Sequence, residues 1–138
     1  MRTISALMLL LCLTGAGMAE ESSKFQLRFD GLYELKERDC NSYLRFYEDG
    51  TVVEACSTGS PEEAGRWLNK DHPYSSKGIY ILTGSVLSFA VKSASGPDVS
   101  FVGQVARDGL TLDLIETIHT PGSLSTPVPG KRFEFAKS

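Results

Sequence analysis

Short runs in which every second residue is apolar dominate this chain. Phe25, Leu27, Phe29, Gly31, Tyr33 and Leu35 alternate with Gln26, Arg28, Asp30, Leu32, Glu34 and Lys36. Period two with one apolar face predicts a long first strand. Gly31 predicts a bend in it, because glycine lets a strand kink. Tyr43 to Phe46 and Thr51 to Cys56 read as two more strands, joined at Asp49-Gly50. Asp-Gly supplies the positive φ angles that a two-residue primed turn needs. With Glu48 paired to Thr51, Leu44, Phe46, Val53 and Ala55 share one face. Tyr43, Arg45, Tyr47, Val52, Glu54 and Cys56 fall on the other.

The pattern repeats downstream. Gly78 to Val91 reads as a hairpin turning at Thr83-Gly84-Ser85. Val99 to Ala106 and Leu110 to Ile115 read as another, turning at Asp108-Gly109, with Leu110, Leu112 and Leu114 on one face. Lys131 to Ala136 is a closing strand with Phe133 and Phe135 inward, after a loop from His119 to Gly130. Ser60-Pro61-Glu62-Glu63 is the one helix signal: a hydroxyl cap, a proline in the first turn and acids at the positive dipole end. It predicts at most one short helix near residues 61–67. About eight short strands with little helix predict an all-β fold. An antiparallel up-and-down barrel is preferred, because closure by the first and last strands removes exposed edges.

The first residues fit no strand. Arg2 precedes an apolar stretch, Leu7 to Leu13, and Gly17-Met18-Ala19 follows. That order predicts a signal peptide over residues 1–19, cut after Ala19, and a single mature domain over 20–138. The apolar stretch falls short of the roughly 20 residues that span a bilayer. The expected destination is the periplasm or the cell exterior. Cys12 leaves with the leader, so Cys40 and Cys56 remain as an even pair in an oxidising compartment, which predicts a disulfide. The loop it closes, of about 15 residues, is worth roughly 3 kcal/mol of chain entropy. The hairpin register does not set Cys40 opposite Cys56, so the chain must bend before Ser42. The formal net charge is −3 and no basic cluster occurs, which argues against nucleic acid as a partner.

Candidate chemistry is sparse. His72 and His119 lack neighbours at metal-ligand spacing. No Gly-x-Ser-x-Gly elbow and no Walker-type glycine loop occurs. Glu20-Glu21 and Glu62-Glu63 are chain neighbours, whereas a glycosidase pair must face across a cleft. No catalytic residue, metal ligand or cofactor site is predicted, and the chain reads as non-enzymatic. The informative side chains are Phe29, Tyr33, Leu44, Phe46, Phe89, Phe101, Phe133 and Phe135. In a small barrel such residues fill the interior or line a cavity for one small apolar ligand, with filling favoured at this size. Tyr43, Arg45 and Tyr47, on the face opposite Leu44 and Phe46, are the candidate partner face, since Tyr and Arg are enriched at binding hot spots. The alternative is ordinary cross-strand packing.

The order of these motifs resembles bacterial lipocalin-like domains of the calycin group. The matching residues are Gly31-Leu32-Tyr33, Phe46-Tyr47-Glu48-Asp49-Gly50-Thr51-Val52, Gly78-Ile79-Tyr80, Val86-Leu87-Ser88-Phe89 and Asp108-Gly109-Leu110-Thr111-Leu112. The resemblance implies a small β-barrel and carries no shared catalytic residues. The chain departs from animal lipocalins, which place Gly-x-Trp on the first strand, because Trp67 comes later. Ser93-Ala94-Ser95-Gly96 is similar to an element of periplasmic inhibitors of animal-type lysozyme. Two functions are therefore expected in competition. One is an exported binder of a small apolar molecule or lipid fragment. The other is a protein-binding module such as a hydrolase inhibitor.

Overall fold

The computed structural model describes residues 25–93 and 96–137. The expected leader, its cleavage site, Ala94 and Ser95 lie outside the described residues. The elements are β1 (Gly31–Leu35), β2 (Asn41–Phe46), β3 (Thr51–Ser57), α1 (Pro61–Trp67), β4 (Ser76–Thr83), β5 (Val86–Lys92), β6 (Asp98–Val105), β7 (Thr111–His119) and β8 (Pro127–Lys137). Each strand pairs antiparallel with the next, and β8 pairs back onto β1, with Tyr33 opposite Phe135. The sheet is a closed eight-stranded barrel, as the run of short alternating strands predicts. Helix α1 begins where the cap signal places it, with Ser60 Oγ accepting the Glu63 N–H at 3.2 Å.

Three expectations about the extent of the strands need correction. The first strand is short: Phe25 to Phe29 are not in the ladder. They run across the end of the barrel that holds the tight turns. There Leu27 is buried, and the Tyr33 hydroxyl accepts from Arg28 N–H at 2.8 Å and donates to Gly109 O at 2.6 Å. Burial pushes the Tyr33 phenol up to about 12. The last strand is longer than expected and takes in Pro127 to Gly130. Leu110 sits in the β6–β7 turn and is exposed, so only Leu112 and Leu114 of that trio reach the core.

The hairpin register is the correction with the largest consequence. Tyr47 N–H donates to Thr51 O at 2.9 Å and Gly50 N–H to Tyr47 O at 3.1 Å. The loop is therefore Glu48-Asp49-Gly50, with Gly50 at φ 95° and Asp49 Oδ1 accepting the Thr51 N–H at 2.9 Å. The β6–β7 loop, Arg107-Asp108-Gly109-Leu110, is one residue longer but has a similar Asp-Gly turn, with Gly109 at φ 73° and Asp108 accepting from Leu110. The three-residue loop at Gly50 places its glycine in the left-handed region at its last position. It shifts β3 by one residue from the two-residue turn: Phe46 faces Val52, Arg45 faces Val53, and Leu44 faces Glu54. A one-residue slip exchanges the two faces of a strand. Val52 and Glu54 thus point into the barrel, while Val53 and Ala55 point out.

The interior is packed with rings. Tyr33, Phe46, Tyr80, Phe89, Phe101, Phe133 and Phe135 form one connected chain with centroids 4.9–6.2 Å apart, mostly edge to face. A second, smaller core lies outside the wall. Leu32, Tyr43, Val53 and Ala55 are covered there by Ala64 of α1 and by Leu68.

The Cys40–Cys56 disulfide is present, with Cα atoms 5.7 Å apart. Cys56 faces Ser42 in the ladder, so Cys40 reaches it across the expected bend. Replacing both cysteines by alanine should lower stability by roughly 3 kcal/mol, read from the denaturant midpoint. An unchanged midpoint would show that the bridge adds no constraint.

Candidate functional site

Of the residues expected to line the interior, Tyr33, Leu44, Phe46, Phe89, Phe101 and Phe133 are buried in it, and Phe135 packs against them. Phe29 is the exception. It lies outside the ladder and is 41 % exposed. With Phe25, Leu27, Tyr80 and Leu82 it borders a small apolar hollow at the closed end of the barrel.

The candidate partner face is not an open surface. Tyr43 is fully buried, with its hydroxyl 2.6 Å from Gly59 O and 2.9 Å from the Glu34 carboxylate. Arg45 donates to Leu68 O at 2.9 Å and to Gly65 O at 3.3 Å. Those carbonyls are at the C-terminal end of α1, where intrahelical donors run out and a cation is favoured. Tyr47 packs at the edge of the same cluster, and Lys70 Nζ lies 4.7 Å from its ring centroid. The side chains that read as a hot spot therefore dock the protein's own helix.

The end of the barrel away from the tight turns is polar. Glu54 on β3 faces inward, and burial, followed by the nearby Glu116 and Glu37, pushes its carboxyl up to about 7. Lys131 on β8 spans the other two carboxylates, 2.9 Å from Glu37 and 3.9 Å from Glu116. Ser42 Oγ donates to Glu37 at 2.9 Å. Burial would raise Glu37, but the bonds from Lys131 and Ser42 outweigh it and hold its carboxyl below the ordinary value. The hydrogen bond to Glu37 in turn raises the Lys131 ammonium. One ammonium thus serves two carboxylates and leaves Glu54 without a cation, so that its proton is held more tightly than in an exposed carboxyl. Sequence reading missed this group because the expected register put Glu54 outside.

The outside of β4–β7 inverts the usual rule. Ile79 is 74 % and Ile81 64 % exposed, and Val102 and Ile115 are exposed beside them. Ser88, Ala90, Ser100 and Thr117 complete a shallow groove with no charged side chain in it. The segment Gly78-Ile-Tyr-Ile-Leu is apolar on both faces, so alternation alone could not say which isoleucines were outside.

His72 lies between Trp67 and Tyr74, with ring centroids at 5.1 and 5.5 Å. His119, the last residue of β7, is 2.8 Å from Ser100 Oγ through Nε2 and 3.2 Å from Ser125 Oγ through Nδ1. A serine nucleophile needs a base whose cationic form is stabilised, a task that a carboxylate performs in a triad. Here a hydroxyl occupies that position. Among the described residues no group of three or more His, Cys, Asp or Glu is placed to hold a metal ion, and no helix is long and apolar enough to cross a membrane.

Two outcomes follow from this geometry. The folded state holds the Glu54 proton more tightly than the unfolded chain does, so stability falls as pH rises from about 4.5 towards 7. Glu54→Gln should remove that loss, gaining at most about 3 kcal/mol at pH 8 and nothing at pH 4. Denaturation of both proteins at the two pH values checks it, and equal gains at both would contradict an inward, neutral Glu54. Arg45→Ala should free the end of α1 at a cost of about 2 kcal/mol. Amide exchange over residues 61–68 should speed up while the barrel strands stay protected.

The eight-stranded closed antiparallel barrel, with one short helix among the described residues, is compatible with a lipocalin-like fold. No family model, curated protein or solved structure matches the chain.

Proposed function

We propose that this protein is an exported, non-enzymatic binding module that works through the outside of its barrel wall. The observation that carries the reading is the uncharged groove on the outer wall of β4–β7, where Ile79 and Ile81 are held in solvent by an otherwise regular sheet. Exposed apolar area of this kind commonly marks a protein-binding surface. The ring-packed interior supports an external site over an internal one. The disulfide and the apolar leader pattern support export. A hydrolase-inhibitor role belongs to the same class of function.

The second reading is a small apolar ligand. The feature that favours it is the hollow bordered by Phe25, Leu27, Phe29, Tyr80 and Leu82. A ligand there would sit under the N-terminal segment and not along the barrel axis.

A double substitution, Ile79→Asp with Ile81→Asp, separates the two. The binding-module reading expects cross-linked partners in an envelope extract to disappear while the melting temperature and apolar-dye binding stay unchanged. Partner capture that survives the double substitution sinks the external site. Dye binding that is lost on Phe29→Asp would favour the ligand reading.

A further inference from the structure

The connection from β7 to β8, Thr120 to Thr126, emerges at the polar end of the barrel. The last ladder pairs beside it are Asp98–His119 and Thr117–Pro127. Every residue from Ile118 to Gly130 is exposed. Leu124 is 96 % exposed, more than any other large apolar side chain among the described residues. The run from Thr120 to Gly130 contains no charged residue. One exposed leucine is ordinary by itself; what surrounds this one makes it an anchor.

Local chemistry holds the loop in shape on both sides of Leu124. Thr120-Pro121-Gly122-Ser123 is a turn, with Ser123 N–H donating to Thr120 O at 3.1 Å. Proline presets φ at its second position, and Gly122 at φ 81° supplies the left-handed third position of a type II turn. After Leu124, Ser125 Oγ lies 3.2 Å from His119 Nδ1, and His119 Nε2 lies 2.8 Å from Ser100 Oγ on β6. The histidine therefore bridges the loop to the barrel wall. Pro127 and Pro129 restrict the chain that follows. Between these anchors, Leu124 to Thr126 lie outside the ladder and make no backbone–backbone hydrogen bond among the described residues.

A fixed segment with unclaimed backbone groups and one apolar side chain has the chemistry of a bound peptide substrate. Peptidases hold such segments through main-chain bonds and read the side chain in a pocket. We infer that the β7–β8 loop docks in the cleft of a serine peptidase that prefers apolar residues, with Leu124 in its specificity pocket, and blocks it. Fixing the loop in advance lowers the entropy cost of docking. The inference goes beyond the outer-wall reading and does not need the β4–β7 groove.

The His119 clamp gives the reason that docking blocks the peptidase. Attack by the peptidase hydroxyl on the Leu124 carbonyl forms an ester. The peptide bond breaks as the Ser125 nitrogen takes the hydroxyl proton. That amine stays in place, because β8 and the His119 contact hold Ser125 to the barrel. Its return attack is intramolecular and therefore fast. It re-forms the peptide bond and gives the proton back to the hydroxyl.

Inhibition assays of the purified protein test the inference. The probes are a chymotrypsin-type peptidase, whose pocket is apolar, and a trypsin-type peptidase, whose pocket takes Lys and Arg. The wild-type protein should inhibit the first at about micromolar concentration or below, and not the second. Leu124→Asp should weaken inhibition about thirtyfold or more. Leu124→Arg should move it to the trypsin-type enzyme, a switch that a structural role for the leucine would not give. His119→Ala should turn the protein into a substrate cut between Leu124 and Ser125, seen by mass spectrometry. Circular dichroism and melting temperature confirm that each variant folds. A wild-type protein that leaves the chymotrypsin-type enzyme active, or that is turned over by it as a substrate, overturns the inference. So does inhibition that ignores Leu124. Ile79→Asp with Ile81→Asp should leave inhibition intact, and a loss there moves the site to the outer wall and overturns the loop. Flotation with phosphatidylcholine vesicles supplies the contrasting arm: binding that Leu124→Asp abolishes, without peptidase inhibition, assigns the leucine to a lipid surface and overturns the inference.

Discussion

The first and last strands pair antiparallel, Tyr33 against Phe135, and with that pairing the sheet has no free edge. Every backbone ladder is then satisfied within the molecule, and every strand side chain has only two destinations, inside or outside. Inside, the space is narrow enough for seven rings to occupy it in one connected chain. Outside, two regions remain, and the protein treats them differently. The wall of β1–β3 carries α1 and a second apolar cluster. Among the described residues, nothing covers the wall of β4–β7.

That division shows where the chain departs from the plainest way of satisfying its fold. A glutamate sits inside and isoleucines sit outside. Glu54 is held at an inward position by strand parity, and burial beside Glu116 and Glu37 raises its affinity for a proton. Lys131 is already engaged with the other two carboxylates. Ile79 and Ile81 are outward for the same reason: the inward positions of β4 belong to Tyr80 and Leu82, which pack on the core. Neither placement helps the isolated barrel. Such departures tend to fall at functional positions, and the exposed isoleucines are the departure that a partner would repair.

Much of the fold was legible from residue order. Alternation located the strands, Asp49-Gly50 and Asp108-Gly109 located the turns, and Ser60-Pro61 located the helix start. The cysteine pair was legible from count and from the expected compartment, including the bend before Ser42. The candidate surface was not legible. Tyr43 and Arg45 have the composition of a hot spot, but their contacts are with Gly59, Gly65 and Leu68, which are 16 to 23 residues away. Nothing local announces that a short helix will fold back over them.

The sequence by itself determined the class of fold, the turn positions and the bridge, because these depend on neighbours within a few residues: period two, positive-φ glycines and a loop of modest length. The tertiary structure decided which face of each strand looks inward. One additional residue in the Glu48-Asp49-Gly50 loop moved Glu54 in and Val53 out. It also decided which apolar face is covered and which is left open, because covering depends on where α1 comes to rest. Local pattern fixes the alternation of a strand but not its phase, and phase is set only when the strands close on one another.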